Sequence, residues 1–138
     1  MDVARESLHL CVPADAPTLC SHTRRVRAFL VECGVDRGTA DDLRLCVHEC
    51  CTNAMRHSGS IDDIDVWLTV DEDKVAILVR DNGRGLDLGR CDPRRPPETQ
   101  STCGRGLFVV AHLLDELEIT VDGGTEIRMA KRLPRATL

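Results

Sequence analysis

The order in which hydrophobic spacing changes along this chain constrains its fold more than any other feature. Alternating apolar residues, the pattern of half-buried strands, occupy 7–12, 64–70, 75–80, 117–121 and 127–133. Apolar residues three or four apart, the pattern of amphipathic helices, occupy 16–33, 39–57 and 104–114. Helices on one face of a mixed or antiparallel sheet bury both kinds of apolar surface. The order therefore predicts an α+β fold, a two-layer α/β sandwich with a mixed, mostly antiparallel sheet and its helices on one face.

Length and composition narrow the class of protein further. The chain has 138 residues, which fits a single domain over 1–138. A formal net charge of −5 argues against a general nucleic-acid binder, which normally carries a basic surface. No stretch approaches the ~20 apolar residues needed to cross a bilayer, and the first residues lack a signal-peptide pattern. We therefore expect a cytoplasmic protein without direct contact to nucleic acid or membrane.

Cysteine is unusually frequent, with eight residues in the chain. They occur without any C-x-x-C pair, the close spacing typical of zinc sites, and disulfides are improbable in a reducing cytosol. Helix and strand spacing predicts that most of them are small buried hydrophobes. A redox sensor or an iron–sulfur ligand set stays open as the alternative. Its best candidates are Cys46, Cys50 and Cys51, joined by Cys91 or Cys103.

The predicted helix over 39–57 carries a first pair of candidate functional residues. Thr39 is the expected N-cap of this helix. Glu49 and Asn53 are four residues apart, so they project together from the edge of its apolar face. A carboxylate and an amide in that position could hold a hydrated metal ion or activate a hydroxyl. Alone, such a pair is more often a solvated surface pair.

Two glycine-bearing segments follow. Asp81 stands at a predicted strand end before Gly83 and Gly85, where a carboxylate can accept a hydrogen bond from an exocyclic amine. The plain alternative is a tight Asn-Gly turn. Gly104 and Gly106 stand at the start of a predicted helix, whose exposed N–H groups can bind phosphate; the alternative there is a flexible hinge.

The segment between the two glycine motifs has no hydrophobic periodicity. Gly, Pro, Arg and Asp dominate from residue 81 to residue 103. A connection of this length without regular structure usually means a functional lid or disorder. We therefore expect a flexible lid over about 86–103.

Taken together and in this order, the three motifs resemble the N, G1 and G2 boxes of the GHKL ATPase superfamily, which has the Bergerat ATP-binding fold. The resemblance is to its small anti-sigma branch and rests on three stretches: Glu49 to His57, Asp81 to Gly85, and Gly104 to Leu107. It spans nearly the whole chain. It implies ATP and Mg²⁺ as cofactors.

The resemblance also implies roles for individual residues. Glu49 would be the catalytic general base, and Asn53 would bind Mg²⁺. Asp81 would read the adenine amino group, with Thr125 near it. The remaining expected cofactor-binding residues line the site or hold the phosphates under the lid: His57, Gly83, Gly85, Gly104, Arg105 and Gly106.

The function implied by the resemblance is that of an ATP-binding anti-sigma factor and serine/threonine protein kinase. Its partners would be a sigma factor and an anti-anti-sigma protein, the latter being phosphorylated. A homodimer is also expected. Two alternatives remain at this point: a nucleotide-binding partner-switch module without phosphoryl transfer, and a regulator that responds to redox state through its cysteines.

Overall fold

The computed structural model describes residues 5–89, 93–94 and 102–134, with side chains at 102–105 excepted. Within these residues the chain forms five strands and three helices. Their bounds are β1 Glu6–Val12, α1 Ala16–Glu32, α2 Arg37–Arg56, β2 Ile64–Val70, β3 Lys74–Asp81, α3 Thr102–Leu113, β4 Glu116–Val121 and β5 Thr125–Arg132.

The strands form one sheet in the order β1-β2-β3-β5-β4. All four pairings among the described strands are antiparallel. Side chains alternate between the two faces, so that Val66, Leu68, Ile77 and Ile127 are buried on one of them. Helices α1 and α2 contact strands of the sheet, and α2 contacts α3. The predicted α+β two-layer sandwich is confirmed.

Helix α2 begins at a cap that the sequence analysis misplaced. Asp36 is the N-cap, and its carboxylate accepts a hydrogen bond from the backbone N–H of Thr39 at 3.0 Å. The expectation that Thr39 caps the helix is therefore wrong, because Thr39 lies within the first turn. The residue whose N–H donates this hydrogen bond lies three positions after the capping residue, a common spacing at helix N-termini.

Three cysteines of α2 belong to the hydrophobic core. Cys46, Cys50 and Cys51 are each at most 1% exposed. Burial raises the pKa of Cys46 and of Cys51 to about 12, and burial also raises the pKa of Cys50. Thiols in this state are poor nucleophiles and poor metal ligands, since both roles require the thiolate. For these three cysteines, burial supports a role in packing the core over a role in a redox sensor or an iron–sulfur site.

The remaining cysteines do not all follow that interpretation. Cys11 and Cys20 are exposed, and Cys33 is half-buried. Cys91 lies outside the described residues, and so does the side chain of Cys103. The expectation that most cysteines are buried packing residues holds for the three of α2 and does not extend to Cys11 and Cys20.

The segment predicted as a lid, 86–103, lies mostly outside the described residues. At its start Leu86 is buried, and its backbone N–H donates to the Thr125 hydroxyl at 2.9 Å. At its end α3 begins at Thr102, two residues before the predicted start. Among the described helices none is long and apolar enough to cross a membrane.

Candidate functional site

The C-terminal half of α2 presents Glu49 and Asn53 one helical turn apart. Glu49 is half-buried, whereas Asn53 is only 4% exposed. The amide nitrogen of Asn53 is buried and has no hydrogen-bond partner among the described residues. A buried polar group without a partner costs roughly 1–3 kcal/mol. Such a group indicates either a ligand that the folded protein is built to receive or an ordered water.

Helix α2 ends directly beside this pair. The backbone carbonyl of Asn53 accepts hydrogen bonds from the N–H groups of His57 at 2.9 Å and Ser58 at 3.1 Å. His57 is the C-cap of the helix and is half-buried. The chain then turns, so Ser58 enters the core with no exposed surface. The hydrogen bonds that end α2 thus connect Asn53 to Ser58, which belongs to the second part of the site.

That second part is a hydrogen-bond network around the Asp81 carboxylate. Asp81 is 4% exposed at the end of β3. Its Oδ1 accepts from the Ser58 hydroxyl at 2.5 Å and from the Gly83 N–H at 2.8 Å. The Ser58 oxygen in turn accepts from the Gly85 N–H at 3.1 Å. Both donors fix Oδ1, so the carboxylate is held in one orientation.

The glycines of this loop are required by close packing. A Cβ on Gly83 would collide with the carbonyl oxygen of Ser58, and one on Gly85 would collide with Val121. Gly85 also has φ +94°, which side-chain-bearing residues rarely adopt. A Cβ on Gly124 would strike the backbone carbonyl of Asp81. Glycine is therefore needed in both segments that pack around Asp81, the loop after β3 and the turn before β5.

Thr125 completes this part of the site from β5. It is 2% exposed and lies directly opposite Asp81 in the antiparallel register. Its hydroxyl accepts the Leu86 N–H, as described above, and so fixes the first residue after the Asp81–Gly85 loop. The register of β3 and β5 places Thr125 beside Asp81 on the neighbouring strand.

Helix α3 approaches Glu49 at a glycine. A Cβ on Gly106 would overlap the Oε2 atom of Glu49, so the Glu49 carboxylate can lie at this place only because position 106 has no side chain. Gly104 and Arg105 precede it in the first turn of α3, and their surroundings lie outside the described part of the structure. Both glycines lie inside the helix, whereas the sequence predicted them at its start.

The structure thus brings most of the predicted residues into two groups. In the first group, Glu49 lies against Gly106. In the second, Asp81 accepts a hydrogen bond from Gly83, is linked to Gly85 through Ser58, and lies opposite Thr125. The hydrogen bonds of His57 and Asn53 join the end of α2 to the second group through Ser58.

Sequence reasoning missed Ser58 and Gly124. The available signal for Ser58 was its place directly after the helix carrying Asn53. That signal is weak, since serine after a helix is usually exposed.

Three features together define a class of ATPase domain. They are a helix that bears Glu49 and Asn53, a carboxylate at the end of a central strand, and glycines that let a loop and a helix approach these side chains. The histidine kinase-like ATPase domain family matches residues 12–131, and the chain belongs to this family.

Within that class, the chain is similar to serine-protein kinases named RsbW. It is 33% identical over 105 residues to the one from Bacillus licheniformis, covering 69% of this chain and 66% of that protein's length. It is 26% identical over 139 residues to the one from Bacillus cereus strain ATCC 10987 / NRS 248, covering 94% of this chain and 87% of the other.

Two solved structures share the fold. One is the crystal structure of RsbU and RsbW domains of a Mycobacterium tuberculosis protein, with a TM-score of 0.70 and 21% identity over 96% of this chain and 34% of that one. The other is the histidine kinase domain of a blue-light activated kinase from Erythrobacter litoralis, with a TM-score of 0.57 and 20% identity over 82% of this chain and 60% of that one. The predicted superfamily and its anti-sigma kinase branch are confirmed.

Proposed function

We propose that this chain binds ATP with Mg²⁺ and acts as an anti-sigma factor and serine/threonine kinase. The observation that carries the proposal is the buried amide nitrogen of Asn53, which has no hydrogen-bond partner among the described residues and lies one turn from Glu49. Membership of the ATPase family supports nucleotide binding, and similarity to serine-protein kinases supports protein phosphorylation.

The adenine end of the nucleotide fits the Asp81 network. Ser58 and Gly83 occupy one carboxylate oxygen of Asp81, which leaves the other available to accept an exocyclic amino group. Gly83 and Gly85 leave room for a ligand that a Cβ would exclude. Thr125 lies opposite Asp81 at this end, whereas His57 would line the site at the end of α2, the proposed metal-binding helix.

The phosphate end fits the region between α2 and α3. Asn53 is the proposed ligand of Mg²⁺, because a rotated amide presents its oxygen where the structure has an unpartnered nitrogen. Bound Mg²⁺ would neutralise phosphate charge during transfer. Gly104, Arg105 and Gly106 would hold the phosphates at the start of α3, under a flexible lid over 86–103.

Glu49 is the proposed general base. Its carboxylate accepts the proton of the partner's serine or threonine hydroxyl as that oxygen bonds to the γ-phosphorus and ADP leaves. Gly106 lets α3 pack against the carboxylate, which limits its freedom to turn away. Positioning and charge neutralisation supply most of the rate in such reactions.

The proposed partners are a sigma factor, which the protein sequesters, and an anti-anti-sigma protein, which it phosphorylates. We also propose that it works as a homodimer in the cytoplasm and that it acts on transcription through these proteins, without touching nucleic acid. The net charge of −5 is consistent with this. Light scattering of the purified chain tests the dimer.

The test combines ATP binding with transfer from labelled ATP to the anti-anti-sigma partner. Glu49→Ala should bind Mg–ATP within about twofold of the parent and slow transfer by about 10²-fold or more. Glu32→Ala, an exposed helical glutamate, is the matched control and should change neither property.

Three outcomes separate the possibilities. Transfer at the parental rate by Glu49→Ala removes the base assignment. Tight ATP binding by the parent without any labelled partner supports the nucleotide-binding partner-switch module instead of the kinase. Failure of the parent to bind adenine nucleotide removes both.

A further inference from the structure

Three side chains of metal-ligating type meet on the face of the sheet opposite the helices. His9 and Cys11 are two residues apart on β1, and both are exposed while their neighbours Leu10 and Val12 are buried. Asp65 lies directly across from Cys11 on β2. One imidazole, one thiol and one carboxylate therefore share the outer face of two paired strands.

Their donor atoms lie close together. The His9 Nε2 atom is 3.0 Å from the Asp65 Oδ1 atom, and the Cys11 thiol donates to the same oxygen at 3.5 Å. All three donor atoms lie within 4.8 Å of one another. Ligand atoms of a tetrahedral zinc ion are roughly 3.3 to 3.7 Å apart. The two distances to the Asp65 oxygen, 3.0 and 3.5 Å, are close to that spacing.

The imidazole is already oriented by its neighbours. Trp67 lies opposite His9 in the β1–β2 register, and the two rings stack with centroids 4.6 Å apart and an interplanar angle of 1°. The Arg80 guanidinium lies 5.2 Å from the centroid of the Trp67 ring. A ring held by stacking loses less freedom when it binds an ion, which is the benefit of preorganisation.

We propose that His9, Cys11 and Asp65 form a zinc site that ties the edge strand β1 to β2. Thiolate, imidazole and carboxylate are the usual ligands of Zn²⁺, whereas Mg²⁺ prefers oxygen alone. Three protein ligands leave the fourth position to water. Desolvation and the Asp65 carboxylate raise the pKa of the Cys11 thiol in the metal-free protein, so zinc must displace the thiol proton when it binds.

The competing explanation is a simple surface ion pair between His9 and Asp65. Their side chains are 45% and 32% exposed, and such pairs contribute roughly 0–1 kcal/mol. That explanation gives Cys11 no role, whereas the zinc site requires it. Since Glu49 and Asn53 lie on α2, on the other side of the sheet, the zinc site does not depend on the proposed kinase function.

The experiment titrates reduced, nucleotide-free protein with Zn²⁺ by calorimetry and with Co²⁺ by absorption spectroscopy. The parent should bind one ion per chain and show the thiolate-to-cobalt charge-transfer band. Cys11→Ser should lose that band, and His9→Gln and Asp65→Asn should each lower zinc affinity by about tenfold or more. Cys20→Ser and His22→Gln are the controls and should bind as the parent does.

Asp65→Asn keeps every thiol, so its loss of affinity separates the site from general cysteine binding. Far-ultraviolet circular dichroism verifies that each variant is folded, and a folded Cys11→Ser protein is expected because Cys11 is exposed. The proposal is overturned if the parent binds no zinc at micromolar concentration. It is equally overturned if Cys11→Ser keeps the charge-transfer band.

Discussion

At the scale of single residues, Asn53 is almost completely buried, and its amide nitrogen has no hydrogen-bond partner among the described residues. Asn53→Ala should lower Mg–ATP affinity by about tenfold or more, because the proposed magnesium ligand is lost. The ligand-free protein should lose no more than about 1 kcal/mol of unfolding free energy, since the amide nitrogen gives up no hydrogen bond to the described residues. Calorimetry with Mg²⁺ or with chelator, and thermal melting, measure the two effects.

The control for Asn53 is Asp42→Ala, which removes an exposed polar side chain from the first half of α2. This variant should bind Mg–ATP with nearly parental affinity. Equal affinities for the parent and Asn53→Ala would refute the magnesium role. A large loss of stability in the ligand-free Asn53→Ala protein would instead mean that the amide is structural.

Ser58 is a positioning residue for Asp81. Ser58→Ala removes the hydroxyl that donates to the Asp81 carboxylate and accepts from the Gly85 N–H. We expect a loss of about 1–3 kcal/mol in unfolding free energy, because two buried groups lose a partner. ATP affinity should also fall, since the carboxylate is no longer fixed. Chemical denaturation and calorimetry measure the two quantities.

Ser60→Ala is the matched control for Ser58. Ser60 is also buried, at 6% exposure, and its hydroxyl donates to the Asp62 carbonyl at 3.2 Å, away from the carboxylate. It should lose stability without losing ATP affinity. If Ser58→Ala also binds ATP as the parent does, Ser58 only stabilises the fold.

Single residues also mark the limit of what the sequence could predict. Asp81, Gly83 and Gly85 were found because a strand end followed by glycines forms a recognisable pattern. Ser58 was missed because its role depends on burial, and one serine beside a glycine carries no sign of being buried. Thr125 was named from the resemblance alone; its place opposite Asp81 follows from the β3–β5 register.

At the scale of secondary-structure elements, the packing of α3 on α2 depends on Gly106. Gly106→Ala puts a methyl group where the Glu49 carboxylate lies, so that carboxylate must move. The cost in stability should be small, because the displaced atom ends a flexible side chain and alanine favours helix by up to ~1 kcal/mol. We expect slower phosphoryl transfer with an unchanged or higher melting temperature, measured by labelled transfer and calorimetry.

Gly38→Ala tests whether any such effect belongs to Gly106. Gly38 lies in the first turn of α2, and its Cβ would meet only the Asp36 carboxylate, at 3.4 Å. This substitution should leave transfer unchanged. Parental transfer by Gly106→Ala would show that the position of Glu49 does not depend on the approach of α3.

The bounds of a helix or strand could be predicted where its hydrophobic periodicity is strong, and less well where glycines lie near its end. The strand expected over 64–70 has those bounds, because its residues alternate strictly between buried and half-buried. The helix expected over 104–114 runs over Thr102–Leu113 instead, because the sequence placed its start at Gly104. Glycine weakens a helix without excluding it, so packing against α2 can extend α3 over both.

At the scale of the whole molecule, the candidate site joins elements that are far apart in sequence. Glu49 belongs to α2, Asp81 to β3, Gly106 to α3 and Thr125 to β5. The strand order β3-β5 and the antiparallel register bring two of these together, and neither follows from hydrophobic spacing alone. The motif order could predict the superfamily, whereas the contacts between motifs required the fold.

Because the site joins these elements, nucleotide binding should stabilise the molecule as a whole. At a free Mg–ATP concentration about 100 times its dissociation constant, the folded state gains about 2.7 kcal/mol, which a thermal shift detects. Hydrogen exchange should slow at the end of α2, around 81–86 and in α3 together. Mg–GTP at the same concentration should give a much smaller shift, because guanine carries a carbonyl where adenine carries the amine proposed to donate a hydrogen bond to Asp81. An equal shift with GTP would show that Asp81 does not read the base, even if the phosphates bind as proposed.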